Sequence, residues 1–437
     1  MSEHVLNQTA SHAEKVDKDY PLTIVPWSAR RPLWSVSVVL LGFVFFTPTM
    51  LAGADIAPSF SFPVFLLVAA LGSTVLGLYV SAIGGIGAHT GLTTVVMSRF
   101  AFGKVGAKLV SLLLGGTQVG WYGVTVATLV LLVQQATGWE GPIAQWTLIV
   151  LGGAIMGVTA YYGYRGLEVL SVLALPLLII LAGWVTLRSF SEIISEGGIG
   201  TLTGTGEMSL AVAVTSIVGT FASGGTQAAN WTRFSRTPWE GFGAGTMAFL
   251  VGEFFMIIFG GIGALAFGVG DFVEVLFTLN LVVWGLVFLV LNLWTTNDNA
   301  AYNFGVAGAE LFNANTKKPF IVGGVIIGTL LAMPIYNNLI GYLSWLGILI
   351  PPIGGVIIGD WLVHWRDGMP EPLEYRFPAV RWGNLAAYAV ATYFAWLSTN
   401  NNWFIPPING IILAVLGVMA VNRLFGSKVG EPAVAAT

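Results

Sequence analysis

The chain has 437 residues, of which 55% are hydrophobic and 9% are charged, and its formal net charge is −3. A typical soluble domain carries about 25% charged residues, so this composition excludes an ordinary soluble protein and indicates a polytopic membrane protein in contact with lipid. The weak negative charge argues against nucleic acid as a partner. There is no cysteine, which excludes disulfides, iron–sulfur clusters and thiol catalysis. The four histidines lack the spacing of a zinc site.

Residues 1–32 form a polar segment of mixed charge. It is too long and too acidic for the start of a signal peptide, and we expect a cytoplasmic tail. A helix needs about 20 apolar residues to cross the hydrocarbon core, and this rule predicts twelve spans. They are 33–53, 62–87, 107–136, 143–162, 166–187, 210–230, 242–268, 274–303, 320–337, 339–363, 382–398 and 404–424, followed by a cytoplasmic tail at 425–437.

Positive charge predicts the direction of these spans. With the N terminus inside, every Lys and Arg except Arg188 falls in a cytoplasmic segment. Positive residues near the ends of spans stay on the cytoplasmic side. The asymmetry therefore favours the count of twelve and places both termini in the cytoplasm.

An internal repeat predicts how the spans are organised. The string GGIGA occurs at Gly84–Ala88 and at Gly260–Ala264, an offset of 176 residues (260 − 84), and the same offset relates Pro176 to Pro352. The repeat predicts two halves of five spans each. Because five is an odd number, the halves have opposite topology in the membrane, as in many secondary transporters. Chance is the alternative, because Gly and Pro are common here. The predicted halves are 33–187 and 210–363, and spans eleven and twelve occupy 382–424.

Spans one and six each contain residues that interrupt a helix. Span one carries Pro48 in VVLLGFVFFTPTMLAG, and span six carries Gly219, Gly224 and Gly225 in SIVGTFASGGTQAAN. Proline removes a backbone donor and glycine weakens a helix, and matching breaks in two halves point to a midplane binding site. Close helix packing is the alternative, but Ser223 adds a polar group that packing does not require.

Two polar clusters lie within predicted spans. Gln118 and Trp121 are three residues apart in span three and share a helix face, a pairing that suits a small planar heterocycle. An interfacial Trp beside a Gln that bonds a neighbouring helix is the alternative. In span eight, the hydroxyls of Thr295 and Thr296 and the Asn292 carbonyl provide the oxygen ligands that hard cations prefer.

Acidic and basic residues within or beside the spans have competing roles. Asp298 in span eight is predicted to accept hydrogen bonds between helices rather than to carry a proton. Glu253 in span seven has no basic residue at matching depth, so it is either protonated or beside water. We expect Asp360 to meet cytoplasmic water or a loop Arg, and Arg99 to contact phospholipid or to act in gating.

A channel and a membrane-embedded enzyme are the rival functions. A channel requires a continuous polar lining, whereas these polar residues cluster at one depth. An enzyme requires a nucleophile–base pair or a metal cluster, and no His or Cys lies within a predicted span. We therefore expect a transporter and not an enzyme.

Several motifs resemble those of one transporter family. GGTQVGWYG in span three, LNLWTTNDNA in span eight and IPPIGGVIIGDWL in span ten resemble the nucleobase:cation symporter-1 family, in particular its bacterial cytosine permeases. SARR, TGLTT, SRFAFG and GTFASGGT fit the same resemblance. It implies an all-α membrane fold with a leucine-transporter-like 5+5 inverted repeat and two extra helices. It also implies sodium-driven import of cytosine across the bacterial inner membrane, by a monomer that alternates access.

The resemblance also implies roles for particular residues. Trp121 and Phe221 would sandwich the base, and its edge would bond to Gln118, Ser223 and Asn297, with Thr220 beside them at a position where the family has serine. The co-transported Na⁺ would lie between spans one and eight. Its ligands would be the hydroxyls of Thr295 and Thr296 and the carbonyls of Gly42, Phe46 and Asn292.

Two questions stay open at this point. The cargo could be another planar heterocycle, such as a purine, hydantoin or hydroxymethylpyrimidine. Glu253 stands where the family has an amide, so a proton could take part in the cycle.

Overall fold

Each apolar run predicted as a membrane span is helical in the computed structural model, which describes residues 17–401, 403–426 and 429–432. Helices satisfy every backbone polar group internally, as lipid requires. The rest of the two predicted tails, residues 1–16, 427–428 and 433–437, lies outside the described residues. The helices are α1 Leu33–Val44, α2 Thr47–Ile56, α3 Phe62–Thr90, α4 Thr94–Thr137, α5 Pro142–Met156, α6 Val158–Tyr161, α7 Tyr164–Ser195, α8 Leu210–Thr226, α9 Ala229–Thr232, α10 Pro238–Thr246, α11 Glu253–Phe267, α12 Phe272–Thr278, α13 Val282–Phe312, α14 Lys318–Leu330, α15 Ala332–Tyr336, α16 Leu339–Leu349, α17 Pro351–His364, α18 Trp382–Asn401 and α19 Pro406–Phe425. Two short strands, β1 Tyr375–Arg376 and β2 Glu431–Pro432, pair antiparallel.

Within the described ranges, seven helices are long and apolar enough to cross a membrane, and α1 with α2 forms one further, bent candidate. The other predicted spans are helical but shorter, interrupted or less apolar. The all-α membrane fold is thus confirmed, and the count of twelve spans stays a prediction.

The first span breaks between α1 and α2, which bend by 58°. Phe45 and Phe46 have extended or irregular dihedral angles, and Pro48 lies in the first turn of α2. Proline is favoured at that position, where its missing N–H costs nothing. The break therefore lies just before Pro48 and leaves backbone carbonyls free in the middle of the molecule.

The sixth and seventh spans are irregular at neighbouring positions. Phe221 interrupts the helical dihedral angles of α8, with φ −124° and ψ 19°. A π-helical turn, Met247–Gly252, joins α10 to α11 immediately before Glu253. Such turns occur often at functional sites.

Residues 17–31 pack against the helices and do not extend as a free tail. Lys317 pairs with Asp17 at 3.0 Å and with Asp19 at 2.6 Å. Arg233 donates to the carbonyls of Asp19 and Tyr20, each at 2.6 Å. We call the surface that this segment covers the N-terminal face, and the other end of the bundle the opposite face.

Candidate functional site

The two helix breaks and the polar stretches of α4 and α13 meet at one place in the bundle. They enclose a small cavity of about 10 Å³, which we call the inner cavity. Gln118 and Trp121 share a face of α4, as their spacing predicts, and both reach it. The lining residues are Phe43, Phe46, Gln118, Trp121, Thr125, Thr220, Phe221, Gly224, Thr296 and Ala300.

Aromatic rings form most of the wall of the inner cavity. The Phe46 ring contacts Trp121 and Phe221 edge-on, with centroids 5.8 and 5.9 Å apart. Phe46 therefore bridges the two rings that the resemblance assigns to stacking on a base, and its side chain must move if a planar ligand is to lie between them. Trp121 also meets the Tyr342 ring at 6.0 Å, and the Tyr342 hydroxyl donates to the Thr117 carbonyl.

A short polar chain runs beside these rings. The Gln118 amide donates to Ser223 Oγ at 2.9 Å, and Ser223 Oγ lies 2.6 Å from Thr117 Oγ1. Gln118 Oε1 is buried and has no hydrogen-bond partner among the described residues. Because a buried acceptor left unpaired costs about 1–3 kcal/mol, this oxygen is suited to receive an N–H from a ligand.

Asn297 lies beside this group but outside the lining of the inner cavity. Its amide nitrogen is 3.3 Å from the Tyr122 carbonyl and 3.3 Å from Met156 Sδ, and its Oδ1 is buried without a partner in the described chain. Its neighbour Asp298 accepts from the amide of the adjacent Asn299 at 3.0 Å, a bond within α13, so its predicted role as an acceptor between helices stays a prediction. The structure thus brings together five of the six predicted base-binding residues, and Asn297 faces α4 and α5 behind them.

Three of the five predicted cation ligands, those on α13, lie together where α13 passes the break in the first span. Thr296 Oγ1 lies 3.1 Å from the Phe43 carbonyl, 3.4 Å from the Phe45 carbonyl and 3.2 Å from the Asn292 carbonyl. Thr295 Oγ1 lies 2.9 Å from the same Asn292 carbonyl. These are oxygen atoms of the kind that a hard cation takes as ligands.

The carbonyls of Gly42 and Phe46, which the resemblance assigns to the ion, are not among the oxygen atoms that Thr296 contacts. Gly42 packs against Ser171 of α7, where a side chain would clash with the serine hydroxyl. The dihedral angles of Phe45 and Phe46 decide which carbonyls point towards α13, and those angles cannot be read from residue types.

Thr47 is a functional candidate that the sequence did not reveal. Its backbone N–H and its hydroxyl both donate to Asn292 Oδ1, at 2.8 and 2.7 Å. This pair of bonds fixes the start of α2 to α13 beside the candidate cation ligands. A Thr preceding Pro48 at a helix start was the available signal, because such a residue has free backbone donors to share.

A larger cavity of about 410 Å³ opens from the opposite face; we call it the vestibule. It shares Phe46, Trp121 and Thr220 with the inner cavity. Its other lining residues include Pro48, Thr49, Asp55, Thr215, Ser216, Gly219, Gly347 and Pro406. Two aromatic side chains, Phe46 and Trp121, and the hydroxyl-bearing Thr220 therefore lie between the inner cavity and the vestibule.

Comparisons with known proteins identify the family of this chain. A family model for permeases for cytosine/purines, uracil, thiamine and allantoin matches residues 25–375. A cytosine permease of Escherichia coli (strain K12) is 36% identical over 415 residues, which make up 94% of this chain and 96% of that protein.

Solved structures show the same fold. Mhp1, a nucleobase-cation-symport-1 family transporter, in a closed conformation with bromovinylhydantoin bound, has a TM-score of 0.81 at 17% identity, covering 94% of this chain and 97% of that one. The inward-facing conformation of Mhp1 has a TM-score of 0.75 at 17% identity, covering 93% and 94%. The chain is therefore more similar in shape to the closed form than to the inward-facing form.

Proposed function

We propose a specific cargo and driving ion for this chain, which belongs to the family of permeases for cytosine/purines, uracil, thiamine and allantoin and is a transporter rather than an enzyme. The chain imports cytosine by sodium-coupled symport with alternating access. It acts in the bacterial inner membrane with the N-terminal face in the cytoplasm. The E. coli relative named for cytosine supports the cargo, and the charge asymmetry supports the orientation.

One observation carries the cargo assignment. The unpaired Gln118 Oε1 and the Gln118–Ser223 bond lie beside Trp121 and Phe221. An amino-pyrimidine offers a flat ring to the aromatic side chains and N–H donors to the free oxygen. Displacement of the Phe46 ring would make the space for it.

Sodium would act by joining the first span to α13. An ion bound by Thr296 Oγ1, Thr295 Oγ1, the Asn292 carbonyl and carbonyls at the break would hold α1 and α2 in one position relative to α13. An ion shifts a conformational equilibrium only as far as its affinities for the two states differ. Its coupling to cytosine must be reciprocal, so each should raise the affinity of the other.

Closure over the base would use the first half of span ten. α16 and α17 are separate helices that meet at Ile350, and Pro351 begins the second. Tyr342 on α16 already contacts the Trp121 ring and the Thr117 carbonyl. Bending at Ile350 would move this tyrosine over the vestibule side of the pocket.

Binding of a panel of bases to the purified protein, with and without sodium, tests the proposal. We expect cytosine to bind most tightly, and only weakly without sodium, in a comparison with uracil, purines, thiamine and allantoin. Trp121→Ala removes a stacking contact worth about 1–3 kcal/mol per base, and Gln118→Ala removes the edge acceptor. Both should abolish measurable cytosine binding without unfolding the protein, whereas the exposed Trp239→Ala should not affect it.

Thr296→Ala tests the ion site in the same assay. We expect a higher sodium concentration for half-maximal cytosine binding, because one oxygen ligand is lost. An unchanged sodium titration would mean that the ion binds elsewhere. Normal cytosine binding by the Trp121 or Gln118 variant would refute the proposed base site.

A further inference from the structure

Glu253 is a buried carboxylic acid that the proposed transport cycle does not use. It begins α11, directly after the π-helical turn, and its side chain is fully buried. Its Oε1 lies 2.7 Å from Thr220 Oγ1, and its Oε2 is buried without a hydrogen-bond partner in the described chain. Thr220 in turn lines both the inner cavity and the vestibule.

The hydrogen atoms at Thr220 can be counted. Thr220 Oγ1 lies 2.6 Å from the Ile217 carbonyl and 2.7 Å from Glu253 Oε1. A hydroxyl has one proton, and a backbone carbonyl can only accept. Both contacts are full hydrogen bonds only when Thr220 donates to Ile217 and Glu253 carries a proton that it donates to Thr220.

Among the described residues, no positive charge forms an ion pair that would stabilise an ionised Glu253. The helices packed against α11 carry several titratable groups, but in the described chain none of them forms a hydrogen bond or ion pair with Glu253. α1 and α8 carry no titratable group. The titratable groups on the packed helices are Asp55 on α2; Tyr79 and His89 on α3; Tyr164, Arg165, Glu168, Arg188 and Glu192 on α7; and Asp271 and Glu274 at α12. An unpaired buried carboxylate is costly, so it must gain either a partner or water.

We propose that Glu253 is a proton-binding site that controls nucleobase binding through Thr220. With the proton in place, the Glu253–Thr220–Ile217 chain of hydrogen bonds holds the wall of the inner cavity beside Phe221. Without it, the Thr220 hydroxyl turns to donate its hydrogen bond to the Glu253 carboxylate, the bond to Ile217 is lost, and water from the vestibule is drawn towards Glu253. The inference rests on the proposed function, because it concerns the same pocket.

The sign of the effect follows from linkage. If the protonated form binds the base, binding must weaken as pH rises through the titration of Glu253. For one proton, the dissociation constant rises by at most about tenfold per pH unit. Reciprocally, base binding at alkaline pH must take up a proton.

The test measures cytosine affinity at saturating sodium from about pH 6 to about pH 10. We expect wild-type affinity to fall with rising pH, whereas Glu253→Gln stays as tight at alkaline pH as wild type at low pH. The amide can donate to Thr220 as the protonated acid does, but it cannot ionise. Asp55→Asn, which changes the acid lining the vestibule, should keep the wild-type pH dependence.

A second measurement needs only the wild-type protein. Adding cytosine in weakly buffered solution at alkaline pH should remove protons from the medium, up to one per protein molecule, as read from an indicator dye. Absence of uptake, a flat wild-type profile or a pH dependence that survives Glu253→Gln overturns the inference alone. Failure of every base in the panel to bind at any pH overturns the proposed function and this inference with it.

Discussion

The N-terminal face and the opposite face are closed by different chemistry. On the opposite face, the vestibule reaches the aromatic rings of Phe46 and Trp121. On the N-terminal face, buried cations bind across the bundle: Lys317 to Asp17 and Asp19, and Arg99 to Glu310.

This difference indicates which of the two faces is easier to open. The Phe46 ring can rotate without leaving a polar group unpaired, and movement of α16 breaks the single hydrogen bond from the Tyr342 hydroxyl to the Thr117 carbonyl, so the vestibule side can open at low cost. Buried ion pairs open only when water replaces both partners, and removing one partner costs about 3–5 kcal/mol. We therefore expect the N-terminal face to be the stronger gate.

The largest expected effect comes from breaking that gate. Lys317→Ala leaves Asp17 and Asp19 without their ammonium partner, so the N-terminal face should open. The chain has no cysteine, and a single Ala300→Cys therefore reports access to the inner cavity. A penalty of about 3 kcal/mol corresponds to a labelling increase of roughly 100-fold from the N-terminal face.

Lys318→Ala is the matched control for this experiment. Lys318 is the next residue, is exposed, and lies over the Tyr161 ring at 4.8 Å. It should leave labelling of the Ala300→Cys protein unchanged. Equal labelling in the Lys317 and Lys318 variants would show that the ion pairs do not close this face.

A smaller effect is expected where the first span meets α13. Thr47→Val keeps the shape of the side chain but removes the hydroxyl bond to Asn292 Oδ1. The loss of about 1 kcal/mol should raise the sodium concentration needed for cytosine binding roughly fivefold. The control is Thr49→Val, because Thr49 Oγ1 has no partner among the described residues, and a similar shift in both variants would contradict the assignment.

The sequence predicts the helices better than the contacts between them. All twelve predicted intervals are largely helical because a long apolar run can satisfy its backbone polar groups within one segment only as a helix, and the resemblance to the symporter family is confirmed. Asp360 does meet a loop Arg: Arg381 donates to its Oδ1 at 2.5 Å.

Contacts that depend on distant parts of the chain were not predictable. Arg99 is buried against Glu310, 211 positions away in sequence, which excludes the expected contact with phospholipid and leaves gating, the other expected role, as a prediction. Phe46 was assigned only a carbonyl, yet its ring bridges Trp121 and Phe221. Both facts follow from tertiary packing, which no local pattern specifies.

An effect of the same size is expected at the aromatic closure. Tyr342→Phe keeps the ring against Trp121 but removes the hydroxyl bond to the Thr117 carbonyl. Because loss of this hydrogen bond costs about 1 kcal/mol, cytosine should dissociate roughly fivefold faster in a stopped-flow measurement. Tyr393→Phe, on the exposed surface of α18, should leave the dissociation rate unchanged. A normal rate for Tyr342→Phe would show that the Tyr342 hydroxyl does not help to close the pocket.

The smallest effect is the pH response of the N-terminal gate. Burial by itself raises the pKa of Asp17, but the Lys317 ammonium and hydrogen bonds from the backbone of Asp19 and Lys317 outweigh it and hold the pKa below its ordinary value of 3.8. A lowered pKa contributes stability that is present above the ordinary value and is lost as pH falls through the lowered one. The segment should therefore stay docked from pH 8 to pH 5 and loosen only below about pH 3.8.

Spin labels on a Trp27→Cys, Phe312→Cys protein test this response, because both side chains are exposed. The label-to-label distance should stay constant over the pH range in which Glu253 is proposed to control base binding, and should broaden only in strong acid. Broadening between pH 8 and pH 5 would mean that groups other than Asp17 hold the segment. A constant distance beside a changing cytosine affinity would locate the physiological pH response in the pocket wall and not in the gate.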